Sequence, residues 1–150
     1  MRLRAARAAD AGGLARIMAG WIAETPWMPR LHSLEGDRRF LARLIAEQDV
    51  IVARDWRGLL GFLARDGARV HALYLAPRAR GRGVGKALLD TAKARSDRLE
   101  LWCFQANAGA RRFYAREGLA EVERTDGAGN DEKLPDVRLV WPAPAQGEAR

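Results

Sequence analysis

Arg80-Gly81-Arg82-Gly83-Val84-Gly85-Lys86 sets three alternating glycines among cations, directly ahead of a helical pattern in which Val84, Ala87, Leu88, Thr91 and Ala92 share one side. Upstream, Arg69 to Leu75 reads as a strand that ends before Pro77, so the segment is a strand, a glycine loop and a helix in succession. Each glycine removes a side chain that would hold the backbone away from a phosphate. The unpaired N–H groups of the helix N-terminus and the nearby guanidinium groups favour an anion there. Spacing rejects two better-known phosphate loops. A Walker A loop needs glycine where Arg80 stands and Ser or Thr where Ala87 stands, and a dinucleotide GxGxxG loop needs glycine where Lys86 stands. A glycine-rich turn with incidental arginines is the competing reading of these residues.

Working outward, Arg2 to Ala6 reads as a short strand, and Asp10 offers an N-cap to a helix with Leu14, Ile17, Met18, Trp21 and Ile22 on one face. Pro26 and Pro29 break the helix within Thr25 to Ser33 and leave an apolar loop around Trp27 and Met28. A second helix starts near Leu34 or Glu35, with Phe40, Leu41, Leu44 and Ile45 as its apolar stripe. Val50 to Ala53, Leu59 to Ala64 and Arg69 to Leu75 are separated by good turn residues and read as an antiparallel meander. Beyond the glycine loop and its helix come a strand from Leu99 to Phe104 and a helix capped by Asn107 that runs through Phe113 and Tyr114 to Arg116. Gly118 stops that helix. Ala120 to Thr125 and Val137 to Trp141 form a closing hairpin. The expectation is one mixed α/β domain over residues 1–141, followed by a frayed tail from Pro142 to Arg150.

Composition narrows the class of protein. Hydrophobic residues at 48% and charged residues at 30% suit an ordinary globular domain. No apolar run approaches the roughly 20 residues needed to cross a bilayer, and Met1 to Asp10 lacks a signal-peptide pattern, so a cytoplasmic protein without membrane partners is expected. The single Cys103 excludes an internal disulfide. With only His32 and His71 there is no cluster at metal spacing, and no metal is expected. A net charge of +7 raises nucleic acid as a partner, but only Lys86, Lys93 and Lys133 of the 26 basic residues are lysines. The arginine excess comes with abundant Ala and Gly, as GC-rich codons would produce. The one dense basic run, Arg78, Arg80, Arg82 and Lys86, is interleaved with glycine rather than with aromatics that could stack on bases, so nucleic acid is not expected.

In its loop, its strand and its last helix the sequence resembles the Gcn5-related N-acetyltransferase (GNAT) superfamily. Arg80, Gly83 and Gly85 match that family's pyrophosphate-binding pattern. The likeness continues through Leu73, Tyr74, Leu75, Ala76 and Pro77 upstream, and through Asn107 and the run Phe113, Tyr114, Ala115, Arg116, Glu117, Gly118 downstream. It spans essentially residues 1 to 141. The resemblance implies a mostly antiparallel sheet, flanked by helices, that splays where acyl-CoA lies. It implies acetyl-CoA as cosubstrate, its pantetheine arm on main-chain groups of Leu73, Tyr74 and Leu75 and its pyrophosphate on the N–H groups of Arg80, Gly81, Arg82, Gly83, Val84, Gly85 and Lys86.

The resemblance also assigns Asn107 to the cofactor and Tyr114 to catalysis. On the residues alone Asn107 reads equally as a plain N-cap and Tyr114 as an aromatic packed beside Phe113. Asn107 and Tyr114 lie seven residues apart, so one helical face carries both, about 10 Å apart along the axis. The expected reaction is N-acetylation of a small-molecule or peptide amine. Tyr114 would return a proton to the thiolate, and the Leu75 N–H would stabilise the oxyanion. Where some family members carry a glutamate base this chain has Trp102, which leaves Glu100, His71, Glu24 or ordered water for that task. The resemblance puts the acceptor beside Trp27, Met28, Arg30, Leu31 and His32, while on the residues alone Trp27 and Met28 read equally as cover for the core. Asn130, Asp131, Glu132 and Asp136 are acidic or polar residues able to draw a cationic amine, or merely a solvated turn. A noncatalytic acyl-CoA sensor and a nucleic-acid-binding module are the competing functions, and a homodimer is left open.

Overall fold

The computed structural model describes residues 1–145, so residues 146–150 of the expected tail lie outside the described residues. Strands β1 (Arg2–Ala5), β2 (Asp49–Asp55), β3 (Gly58–Asp66), β4 (Arg69–Leu75), β5 (Leu99–Phe104), β6 (Ala120–Thr125) and β7 (Asp136–Trp141) build one sheet in the order β1-β2-β3-β4-β5-β7-β6. Helices α1 (Ala11–Glu24), α2 (Leu34–Glu47), α3 (Val84–Arg95) and α4 (Ala108–Arg116) flank it. Every neighbouring pair is antiparallel except β4 with β5. None of the helices is long and apolar enough to cross a membrane.

Strand alternation sends apolar side chains to both faces of the sheet, so both need helices. One face joins Leu14 and Met18 of α1 and Leu41 and Leu44 of α2 to Val52, Phe62 and Ala72. The other joins Leu88 and Leu89 of α3 and Tyr114 of α4 to Leu63, Leu101 and Val137. Leu88 and Leu89 are fully buried, so cutting either back to alanine would cost about 2–5 kcal/mol.

Two local expectations fail. Asp10 does not cap α1 with its side chain. Its carboxylate accepts from the Arg7 N–H at 2.7 Å and from Arg4 Nη1 at 2.8 Å, closing the 3-10 turn Ala8–Asp10 instead. Phe40 lies at the surface at 36% exposure, because the buried stripe of α2 is Asp37, Leu41 and Leu44. The cap at Ser33, whose hydroxyl accepts from the Gly36 N–H at 3.0 Å, explains why that helix begins at Leu34.

Candidate active site

β4 and β5 run parallel and touch at one point. Arg69 pairs with Glu100, the Glu100 N–H donates to the Ala68 carbonyl at 2.8 Å, and no further pair joins the two strands. The main-chain groups beyond that point can be assigned by alternation. The Ala76 N–H donates to Leu60 of β3 and Tyr74 pairs with Phe62, so the N–H groups of Leu73 and Leu75 face away from β3, into the gap. Likewise the Gln105 N–H donates to Pro135, which turns the main-chain groups of Trp102 and Phe104 toward the same gap. The expectation that Tyr74 offers its main chain to a ligand therefore does not hold, since those groups are committed to β3. His71 is the extra residue of a β-bulge in β4, because one step from Ala64 to Arg65 in β3 faces a two-residue step from Ala72 to Val70.

The gap opens a cleft of about 810 Å³ that reaches from the glycine loop to α4. At its mouth the first helical bond of α3 runs from the Ala87 N–H to the Gly83 carbonyl, so the N–H groups of Val84, Gly85 and Lys86 have no partner within the helix. Gly81 (φ +71°) and Gly83 (φ +80°) hold the left-handed backbone that glycine favours, and a β-carbon on either would enter open space. Gly85 differs. A β-carbon there would meet the Phe113 ring at 3.3 Å, so its glycine also serves the packing of α3 on α4.

Three of the four basic residues of this loop are already engaged. Arg78 binds Asp55 at 2.9 and 3.0 Å, which ties the loop to the β2–β3 turn and pulls the Asp55 carboxyl down to about 2. Arg80 pairs with Glu24 at the end of α1. Lys86 reaches Asp90 at 3.0 Å and Glu117 at 3.2 Å. Arg82 forms no ion pair among the described residues and donates to the Arg78 carbonyl.

At the inner end Asn107 and Tyr114 both line the cleft. Asn107 caps α4, its Oδ1 accepting from the Ala110 N–H at 3.2 Å, and this leaves the amide NH2 as a donor. Tyr114 is buried at 8% exposure, and desolvation pushes its phenol well above the usual range, with smaller contributions from Cys103 and Tyr74. It therefore holds its proton at neutral pH. Cys103 lies in the same wall, its thiol pushed up to about 11 by burial.

The opposite wall is aromatic. Trp21 packs edge-on to Tyr74 (5.6 Å between centroids) and to Trp27 (5.8 Å), and Trp27 packs on Phe104 (5.9 Å). Trp21, Tyr74, Trp102 and Phe104 line the cleft, and Trp27, Met28, Arg30, Leu31 and His32 do not. Trp27 instead packs edge-on against Trp21 and Phe104, Arg30 pairs with the buried Asp37, and Leu31 and His32 are exposed. The Tyr74 phenol is pushed up to about 12, first by burial and then by the negative charges of Glu132 and Asp37. Of the acidic hairpin, Asp136 and Asn130 are used in building the turn, Asp136 through Thr125 and Asn130 through Leu134. Among the candidate bases Glu100 is held by Arg138 (3.4 Å) and Arg69 (3.7 Å) and does not line the cleft. Glu24 and His71 do, and His71 Nδ1 shares a hydrogen bond with Gln48 Nε2 at 2.7 Å. Trp21, Phe104 and Cys103 were not singled out by sequence. Their spacing reads as ordinary helix face or strand core, and only the splay turns them onto a cleft.

The acetyltransferase (GNAT) domain family matches residues 44–118, which hold the meander, the glycine loop and α4. The peptidyl-lysine N-acetyltransferase YiaC of Escherichia coli (strain K12) is 31% identical over 143 residues, covering 91% of this chain and 95% of that protein. Two solved structures share the fold. Apo-form YjaB from Escherichia coli superposes with a TM-score of 0.78 at 22% identity, over 95% of this chain and 98% of that one. The yncA protein of Salmonella typhimurium, whose structure was solved with acetyl-CoA, gives a TM-score of 0.70 at 19% identity, over 93% of this chain and 91% of that one. A splayed parallel pair with a glycine loop at its mouth, together with these matches, establishes that the chain belongs to the GNAT family and is an acetyltransferase.

Proposed function

We propose that this protein transfers the acetyl group of acetyl-CoA to a primary amine by direct attack of the amine on the thioester. The observation that carries this reading is the gap between β4 and β5, whose free main-chain groups lead from the glycine loop to Tyr114. The likeness to yncA supports acetyl-CoA, and the likeness to a peptidyl-lysine N-acetyltransferase supports a primary amine as acceptor.

The residues present fit the cosubstrate. A diphosphate suits the N–H groups of Val84, Gly85 and Lys86 and the open faces of Gly81 and Gly83, with Arg80 and Arg82 as nearby cations. A pantetheine amide suits the free edge of Leu73 and Leu75, and the Asn107 amide is a further donor on the opposite wall. Acetyl-CoA supplies an activated acyl group.

The Leu75 N–H then donates toward the charge that grows on the thioester oxygen, at no cost in reorganisation because the strand already fixes it. Tyr114, a phenol that keeps its proton at neutral pH, hands that proton to the departing thiolate. Trp21, Trp102 and Phe104 exclude water around the incoming amine from the α1 side. His71 and Glu24 are the titratable cleft residues available to relay the amine's proton through water.

The decisive experiment is an acetyl-CoA titration followed by a broad panel of amines, read by release of free thiol. Binding with amine-dependent thiol release is the expected result. Binding with no acetylated amine would favour a noncatalytic sensor, and absence of binding would reject the site.

A further inference from the structure

The cleft continues past β5. Trp102, Cys103 and Phe104 also line a second cleft of about 500 Å³, walled on its far side by the β6–β7 connection through Gly129, Asn130 and Glu132. That connection is rigidly built. Asn130 donates to the Leu134 carbonyl at 2.8 Å and to Asp136 Oδ2 at 3.2 Å, and accepts from the Leu134 N–H at 3.2 Å. The Lys133 ammonium donates to the Ala128 carbonyl at 2.9 Å, and Gly127, at φ +86°, lies so close to Leu134 that a β-carbon would collide with its backbone. A turn held this firmly presents its remaining side chain in a set position.

That side chain is Glu132. The carboxylates that line the main cleft have cations: Glu24 has Arg80 and Glu117 has Lys86. Glu132 forms no ion pair among the described residues, in a chain of net charge +7 that has arginine to spare. Across from it Trp102 is left 43% exposed although it is large and apolar, and the Glu132 charge is felt as far as Tyr74. A carboxylate without an ion pair that shares a cleft with indole and phenyl rings is chemistry suited to a cation, which gains from the charge and from the rings together. A neutral group would gain neither, and an anion would be repelled.

We propose that this second cleft is a subsite for a cationic group on the acceptor, an ammonium or guanidinium carried a few bonds from the amine that is acetylated, paired by Glu132 and covered by Trp102. The proposal deepens the acetyl-transfer reading and rests on it. Small diamines and basic peptides share this chemistry.

The test uses the full chain with saturating acetyl-CoA and two matched acceptor pairs: putrescine against butylamine, and alanyl-arginine amide against alanyl-citrulline amide. The charged member of at least one pair should be preferred in kcat/KM by about tenfold, the size expected of one charge-assisted contact. The pair that shows the preference distinguishes a diamine from a peptide source. Glu132→Gln should collapse that preference toward unity by raising KM for the charged member, with the acetyl-CoA Kd unchanged and the melting curve intact. Glu132→Lys should invert it. Equal use of the charged and neutral members, or a preference that survives Glu132→Gln, would overturn the subsite. If no probe is acetylated, the broad amine panel decides the transfer reading separately, and the same pairs are compared by calorimetry. Salt-sensitive binding of a charged member that is lost in Glu132→Gln supports the subsite, and equal or absent binding overturns it.

Discussion

The Arg80 guanidinium in the glycine loop forms an ion pair with Glu24 in the last turn of α1, so the mouth of the cleft is clasped by side chains from its two opposite walls. Both are about 40% exposed, and a pair of that kind contributes only about 0–1 kcal/mol to stability. Its larger effect is competition, since a diphosphate arriving at the loop needs the same cation. Glu24→Gln is expected to tighten CoA binding by a few-fold and Arg80→Gln to weaken it, both read by calorimetric titration at low salt. Weaker CoA binding in Glu24→Gln would show instead that the carboxylate positions Arg80 for the ligand.

Gly83 and Gly85 should fail in different ways. Gly83→Val places its branched side chain in the open mouth from a left-handed residue, so CoA binding is expected to vanish while the domain still folds at a cost of about 1–2 kcal/mol. Gly85→Val drives into Phe113 and should lower Tm by about 2–8 °C through overpacking. Thermal melts with and without CoA separate the two, and retained affinity in folded Gly83→Val would remove the diphosphate from this loop.

Tyr114→Phe keeps the ring that packs beside Phe113 at 5.2 Å and loses only the phenolic hydroxyl. Turnover should fall by about 10²- to 10⁴-fold with CoA affinity and Tm little changed. Single-turnover thiol release, where chemistry sets the rate, is the measurement to make. Full activity there would return Tyr114 to a packing role.

Asp55 predicts acid sensitivity near the glycine loop. Arg78 first, and then the Arg57 N–H, hold its folded carboxyl at about 2 against an ordinary 3.8. Because the folded value is the lower one, the stabilisation is complete above the ordinary value and is lost as pH falls through the folded one. Asp55→Asn should therefore lower Tm near neutrality and flatten the decline of Tm between about pH 4 and 2. An unchanged slope in the variant would mean the pair contributes nothing to folding.

Trp21 lines the cleft, and Trp27 packs against it without lining the cleft itself. Trp21→Ala should raise the amine KM with acetyl-CoA affinity kept, whereas Trp27→Ala should act mainly through lost ring packing on Trp21 and Phe104 and lower Tm by a few degrees. The reverse assignment of effects would restore the Trp27 loop as the acceptor wall.

Much of this protein is set by local chemistry and so is legible along the chain. Alternation marks β4 over Arg69–Leu75 and β5 over Leu99–Phe104 at the bounds the structure shows, since a strand pattern depends on neighbouring side chains alone. Gly81 and Gly83 stand where the backbone turns left-handed, and Asn107 where α4 needs a cap, both requirements of single residues. What the side chains do at long range was decided only by tertiary structure. Nothing local marks Arg78 for Asp55, Arg80 for Glu24 or Lys86 for Glu117, so a run that reads as one cationic patch divides into a staple, a clasp and a surface pair. Nor does local pattern reveal that β4 and β5 part after a single contact, which leaves the edges of Leu73 and Leu75 free and commits Tyr74 to β3. That divergence exposes Trp21 and Phe104 to a cleft, while the β6–β7 connection sets Glu132, which forms no ion pair among the described residues, in a cleft that Trp102 also lines. Whether a charge or a ring is occupied depends on which distant residue the fold brings to it, and ion pairs and cavities belong to that three-dimensional neighbourhood rather than to spacing along the chain.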